Sequence, residues 1–127
     1  MKKGLVILLV SLVSLFLAFN AVAADKAAIK KNVDGIVAGI DGGKKATDFK
    51  ANDYKPYAFI MEKGGILVVH PSLAGKSLKE EAGPVYDALV KATPEGTWVD
   101  YEWKGKQKHS YVKTTKSGLI VGSGYSD

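Results

Sequence analysis

The chain has no cysteine among its 127 residues, so no disulfide can brace its fold. It has no arginine either, and all 18 of its basic residues are lysines. Arginine supplies the planar fork that grips phosphates and guanine edges. Without it, and with a formal net charge of only +5, nucleic-acid binding is excluded as a function class. Histidine is scarce. His70 and His109 are far apart in sequence with no thiol nearby, which does not make a metal site, and no cofactor is implied. The four prolines, at positions 56, 71, 84 and 94, act as punctuation along the chain.

The first residues are of a different kind. Lys2 and Lys3 precede an almost unbroken apolar run from Gly4 to Phe19. Small residues at an Ala-x-Ala spacing follow in Asn20-Ala21-Val22-Ala23-Ala24. This is the pattern of a secretory signal peptide cut after Ala23 or Ala24, and the run is short for an uncleaved membrane anchor. Residues 25–127 then form a single domain in the periplasm or outside the cell. They are enough for one core held by burial alone.

Within that domain Ile29, Val33, Ile36, Val37 and Ile40 share one helical face, and Gly42-Gly43 ends the pattern, which predicts a helix over 25–41. Gly35 and Gly39, four apart, soften it and leave room for a close neighbour. A single helical turn is expected near Ala46 to Lys50, and Pro56 opens an extended segment. Two β-prone runs, 57–62 and 66–70, flank Lys63-Gly64-Gly65 and read as a hairpin, with the second run apolar on both faces and so expected at the sheet centre. Ser77 and Glu80 have capping-box spacing, and Pro84 suits the first turn of a helix over 84–92. A meander of strands over 97–103, 108–114 and 118–125 closes the chain. The class is α+β, with an antiparallel sheet of about five strands.

The stretch HPSLAGKS, residues 70–77, follows a strand and ends in Gly-Lys-Ser, as a phosphate loop does. It is not one. The position that needs glycine is His70, and Pro71 has no N–H to give a phosphate. His70-Pro71 instead turns the chain off the sheet, so that residues 70–92 cover one sheet face. Tyr57, Phe59, Tyr101, Trp103 and Tyr111 have the composition of a wall for a small-ligand pocket under that cover, with His70 at the rim.

Gly65-Ile66-Leu67-Val68-Val69-His70-Pro71 with Gly75-Lys76-Ser77, then Gly96-Thr97-Trp98-Val99-Asp100-Tyr101-Glu102-Trp103, Lys108-His109-Ser110-Tyr111-Val112-Lys113 and Gly122-Ser123-Gly124-Tyr125 together resemble a single Cache domain. This is the extracellular sensing module of bacterial chemoreceptors and sensor kinases. The resemblance spans nearly all of residues 25–127. It implies a PAS-like fold, with a long N-terminal helix on one face of the sheet and a helix-and-loop segment covering a pocket on the other. It implies a small ligand, often a carboxylate or an amino acid, and transfers pocket positions to Tyr57, Phe59, His70, Tyr101, Lys108 and Tyr111. Where many acid-binding members carry an arginine before the first strand, this sequence has Lys55. A receptor would continue into a membrane helix and a signalling module, so the chain reads as a free-standing form. It would relay to a membrane receptor or sensor kinase, or act as a homodimer through the 25–41 helix.

Plainer roles compete at several positions. His70 can be a strand-end histidine bonded to a nearby carbonyl. His109 and Ser110 are strand neighbours and point to opposite faces, so they cannot form a catalytic pair, and His109 is expected at the surface. Asp100 and Glu102 alternate with apolar residues as a solvated face does, and no nucleophile with a base is legible; the chain is not read as an enzyme. Register remains open. An even-length loop sets Tyr111 opposite Asp100 and near Trp98, and an odd one sets it opposite Tyr101. The competing function is a protein-interaction module with no small ligand.

Overall fold

The computed structural model describes residues 25–127; the signal-peptide reading concerns residues outside them. Helix α1 spans 25–41. Ile29, Val33, Ile36 and Val37 are buried on it, and each contributes about 1.5–3 kcal/mol of apolar burial. The Gly43 φ of 113° ends it. Gly39 leaves space for the Phe49 ring, whereas Gly35 faces open space. The close neighbour is thus a side chain and not another backbone. Two 3-10 turns, Ala46–Asp48 and Ala51–Asp53, carry the chain to the sheet.

Strands β1 (Ala58–Met61) and β2 (Leu67–Val69) form the expected hairpin. Next come α2 (Leu78–Glu81), capped by the Ser77 hydroxyl accepting from the Glu80 N–H, and α3 (Gly83–Leu89), with Pro84 in its first turn. Strands β3 (Thr97–Trp103), β4 (Lys106–Thr114) and β5 (Ile120–Ser126) complete an antiparallel sheet in the order β2-β1-β5-β4-β3.

Two expectations change. β2 lies at the sheet edge, not its centre, because β5 takes the inner place beside β1. Its apolar character has another cause: residues 75–78 fold back along its outer side, through Leu67 N–H to Lys76 O, Gly75 N–H to Leu67 O and Leu78 N–H to Gly65 O. The edge is thereby covered by the chain itself. Register is set by a two-residue turn, Lys104-Gly105, with φ of 52° and 79°, the left-handed geometry that closes tight hairpins. The turn starts β4 at Lys106, two residues earlier than expected, and pairs Trp98 with Tyr111, Asp100 with His109 and Tyr101 with Lys108.

The sheet therefore separates two cores. Phe59, Met61, Leu67, Tyr101 and Val112 pack against α2 and α3. Ala58, Ile60, Tyr111 and Val121 pack under α1. Among the described residues no helix is long and apolar enough to cross a membrane.

Candidate functional site

Alternation along the strands decides which side chains meet. On the α2/α3 face, β3 and β4 bring Tyr101, Lys108 and Ser110 beside Phe59 of β1, with Trp103 at the rim. Lys108 is only 4% exposed. Its ammonium donates to the Tyr57 hydroxyl at 2.8 Å and lies 4.3 Å from the Tyr57 ring centroid and 5.8 Å from that of Phe59. Among the described residues no carboxylate comes within ion-pairing distance of it. Burial, reinforced by the charge of Lys104, brings its pKa down from 10.5 to about 8.

His70 sits where β2 ends. Its Nδ1 accepts the backbone N–H groups of Ser72 at 3.1 Å and Leu73 at 3.0 Å. The His-Pro turn is thus held by the imidazole as an acceptor, not by a bond to a carbonyl, and the ring proton resides on Nε2. The ring stands edge-on to Tyr57 and Trp103, with centroids at 5.3 and 6.0 Å. Burial, followed by the charges of Lys108 and Lys104, lowers its pKa to about 4, so it is neutral at ordinary pH. The Tyr101 hydroxyl and the Ser110 Oγ share a hydrogen bond of 2.8 Å, and burial pushes the Tyr101 phenol well above its usual range.

The void expected beneath the cover is almost filled. Phe59, Leu67, Leu78, Val85, Leu89 and Trp103 close it to a cavity of ≈ 10 Å³, room for one water at most. The open space lies just outside. A cleft of ≈ 390 Å³ is bordered by Tyr57, His70, Pro71, Trp103, Lys104 and Lys106, within the range of small-ligand sites.

Five of the six expected site residues, Tyr57, Phe59, His70, Tyr101 and Lys108, thus share one face. Tyr111 does not join them. Paired with Trp98, it points under α1, where its hydroxyl donates to Glu95 O at 3.0 Å and presses on Gly96. Lys104 and Lys106 were not among the expected site residues, whereas Trp103 was expected as part of the pocket wall. Trp103 had a signal in its alternation with Tyr101. The two lysines reach the rim only because of the two-residue turn, which has no cue beyond the Lys-Gly pair.

Among the described residues no nucleophile is assembled with a base. Ser110 is bound to Tyr101 on one face, and His109 is held by Asp100 on the other. Among the described residues no cluster of three or more His, Asp or Glu is arranged to hold a metal ion.

No protein-family model matches the chain, and no curated protein matches it at a significant level. A solved structure does. The methyl-accepting chemotaxis protein from Vibrio parahaemolyticus RIMD 2210633 superposes with a TM-score of 0.55 at 20% identity, over 84% of this chain and 91% of that one. The fold is Cache-like. Smaller overlaps occur with the ligand binding domain of Mlp24 with asparagine (TM-score 0.38, 19% identity, 55% of this chain and 28% of that one). Another is the extracellular domain of the putative histidine kinase mmHK1S-Z2 (TM-score 0.37, 23% identity, 54% and 30%). In this fold Lys104 and Lys106 border the cleft where the covering segment leaves the sheet.

Proposed function

We propose that the protein is an exported sensory domain. It binds a small polar metabolite, such as a short carboxylate or an amino acid, without transforming it, and relays its presence to a membrane receptor or kinase. The observation that carries this reading is Lys108: a buried ammonium with no carboxylate beside it among the described residues, bonded to Tyr57, which borders the cleft. An unpaired buried charge is costly, and a ligand anion would relieve that cost. Tyr57 and His70 border the cleft, while Phe59 and Tyr101 support Lys108 from the core. Ligand entry would shift the packing of residues 70–92 over the sheet, a population shift and not a reaction.

A thermal-shift screen against short carboxylates, amino acids, amines and purines tests this. A ligand at 100 times its Kd stabilises by about 2.7 kcal/mol, a rise of roughly 10 °C for a domain of this size. The rise should vanish in Lys108→Met and persist in Tyr111→Phe.

The filled interior, at ≈ 10 Å³, favours a second reading as a protein-interaction module with no small ligand. It predicts no thermal shift with any small molecule and a specific partner recovered in pull-down.

A further inference from the structure

On the α1 face, away from the cleft, His109 is held from both sides. Its Nδ1 lies 2.6 Å from the Asp100 carboxylate on β3, and its Nε2 lies 2.9 Å from the carboxylate of Asp127, the residue after β5. The Asp127 N–H also donates to Gln107 O at 3.0 Å. Tyr125 of β5 packs on the ring at 5.1 Å, and α1 contributes Lys26, whose ammonium lies over the Trp98 and Tyr125 rings at 5.7 and 6.0 Å.

Hydrogen counting determines what this arrangement can be. A neutral imidazole has one N–H and one lone pair, while the imidazolium has two N–H groups. Carboxylates can only accept. Both contacts are therefore attractive only when the ring is protonated. In the neutral ring one carboxylate faces a nitrogen lone pair, and that contact must open.

We propose that Asp100, His109 and Asp127 form a proton-binding site, on the opposite sheet face from the ligand cleft, that fastens the residue after β5 to β3 and β4 when occupied and releases it when empty. Release falls on Asp127, because Asp100 is held within a paired strand whereas Asp127 lies outside β5. Hydrogen bonds from the ring to Asp100 and Asp127 also keep its pKa above the usual histidine value, against a smaller opposing effect of burial. The site gives the fold a response to acidity at the end of β5, which runs between β1 and β4.

The test is an NMR titration of both histidine rings, with amide protection of Ser126 and Asp127 measured across the same pH range and corrected for intrinsic exchange. His109 should titrate above the ordinary histidine value. Asp127→Asn and Asp100→Asn should each lower its midpoint, and the double variant should lower it further. Protection at Ser126 and Asp127 should fall several-fold as His109 deprotonates, and should not depend on pH in His109→Gln. His70, on the other face, should be unmoved by these changes and so reports that the fold is intact. A His109 midpoint unaffected by both asparagine substitutions overturns the site. Protection at Ser126 and Asp127 that ignores the titration overturns the release.

Discussion

On one face of the sheet Lys108 is buried with a tyrosine hydroxyl and two rings around it and, among the described residues, no carboxylate in reach; on the other, Asp34 takes Lys30 at 2.9 Å and Lys113 at 3.1 Å. The histidines divide in the same way. His70 is pushed down to about 4 by burial and two nearby lysines, whereas His109 is raised by two carboxylates. Burial alone would push Asp34 up, but the bonds from Lys30 and Lys113 outweigh it and hold it below the usual carboxylate range. The two histidines, and Lys108 against Lys30, are thus shifted in opposite directions on the two faces. On the α1 face Asp34 meets two lysines and His109 two carboxylates. On the α2/α3 face Lys108 meets no carboxylate among the described residues, and its partner Tyr57 borders a cleft.

The largest effect expected is on the core behind the cleft. Phe59 is 3% exposed and its ring fills the space over Gly122. Phe59→Ala should cost about 3–5 kcal/mol in denaturant unfolding. The same change should enlarge the cavity under the cover, and a loss below 1 kcal/mol would show that this face is loosely packed.

Next is Lys108. Its pKa is about 8 in the folded protein against 10.5 for the free side chain, so between these values the unfolded chain binds the proton and the folded one does not. Stability should then rise with pH from about 8 towards 10, by up to about 3 kcal/mol in all. The window closes near 10, where the raised phenols of Tyr57 and Tyr101 act in the opposite sense, the unfolded tyrosines losing protons that the folded ones keep. Lys108→Met should abolish the rise and stabilise the protein at neutral pH, read by urea unfolding at several pH values.

A smaller loss is expected for Tyr111→Phe, which removes the bond to Glu95 O. About 0.5–1.5 kcal/mol is the expected size, with ligand affinity unchanged. A change in affinity would join the two faces that the structure keeps apart.

The smallest effects are those of the histidines, and their signs separate them. His70 has a lowered pKa, so its contribution weakens as pH falls from about 6.5 towards 4. His109 has a raised one, so its contribution is present at low pH and lost as pH rises through its folded pKa. His70→Gln and His109→Gln should therefore alter the pH–stability curve with opposite slopes.

Much of this was legible from residue order. The apolar stripe of Ile29, Val33, Ile36 and Val37 defined α1, the Gly-Gly turn defined the β1–β2 hairpin, and β3 falls on the residues its alternation predicted. Three things were hidden, for physical reasons. Which strand lies at the edge depends on where β5 inserts, a contact made across more than fifty residues. The face of Tyr111 depends on the parity of one turn, and the turn uses Lys104 at a positive φ, a position where glycine or asparagine would have been the signal. Whether the cover leaves a void depends on how Leu78, Val85 and Leu89 interdigitate with Phe59 and Leu67, which no pattern of residue types specifies.

The decisive measurement is the Lys108 titration itself, followed by NMR of labelled lysine in the protein alone and with each small carboxylate that shifts its melting temperature. A single lysine should titrate near 8 in the free protein, disappear in Lys108→Met, and move upward when the anion binds, because a negative charge beside an ammonium favours its protonated form. A Lys108 resonance that titrates with the other lysines, or that stays in place while a ligand binds, would contradict the account.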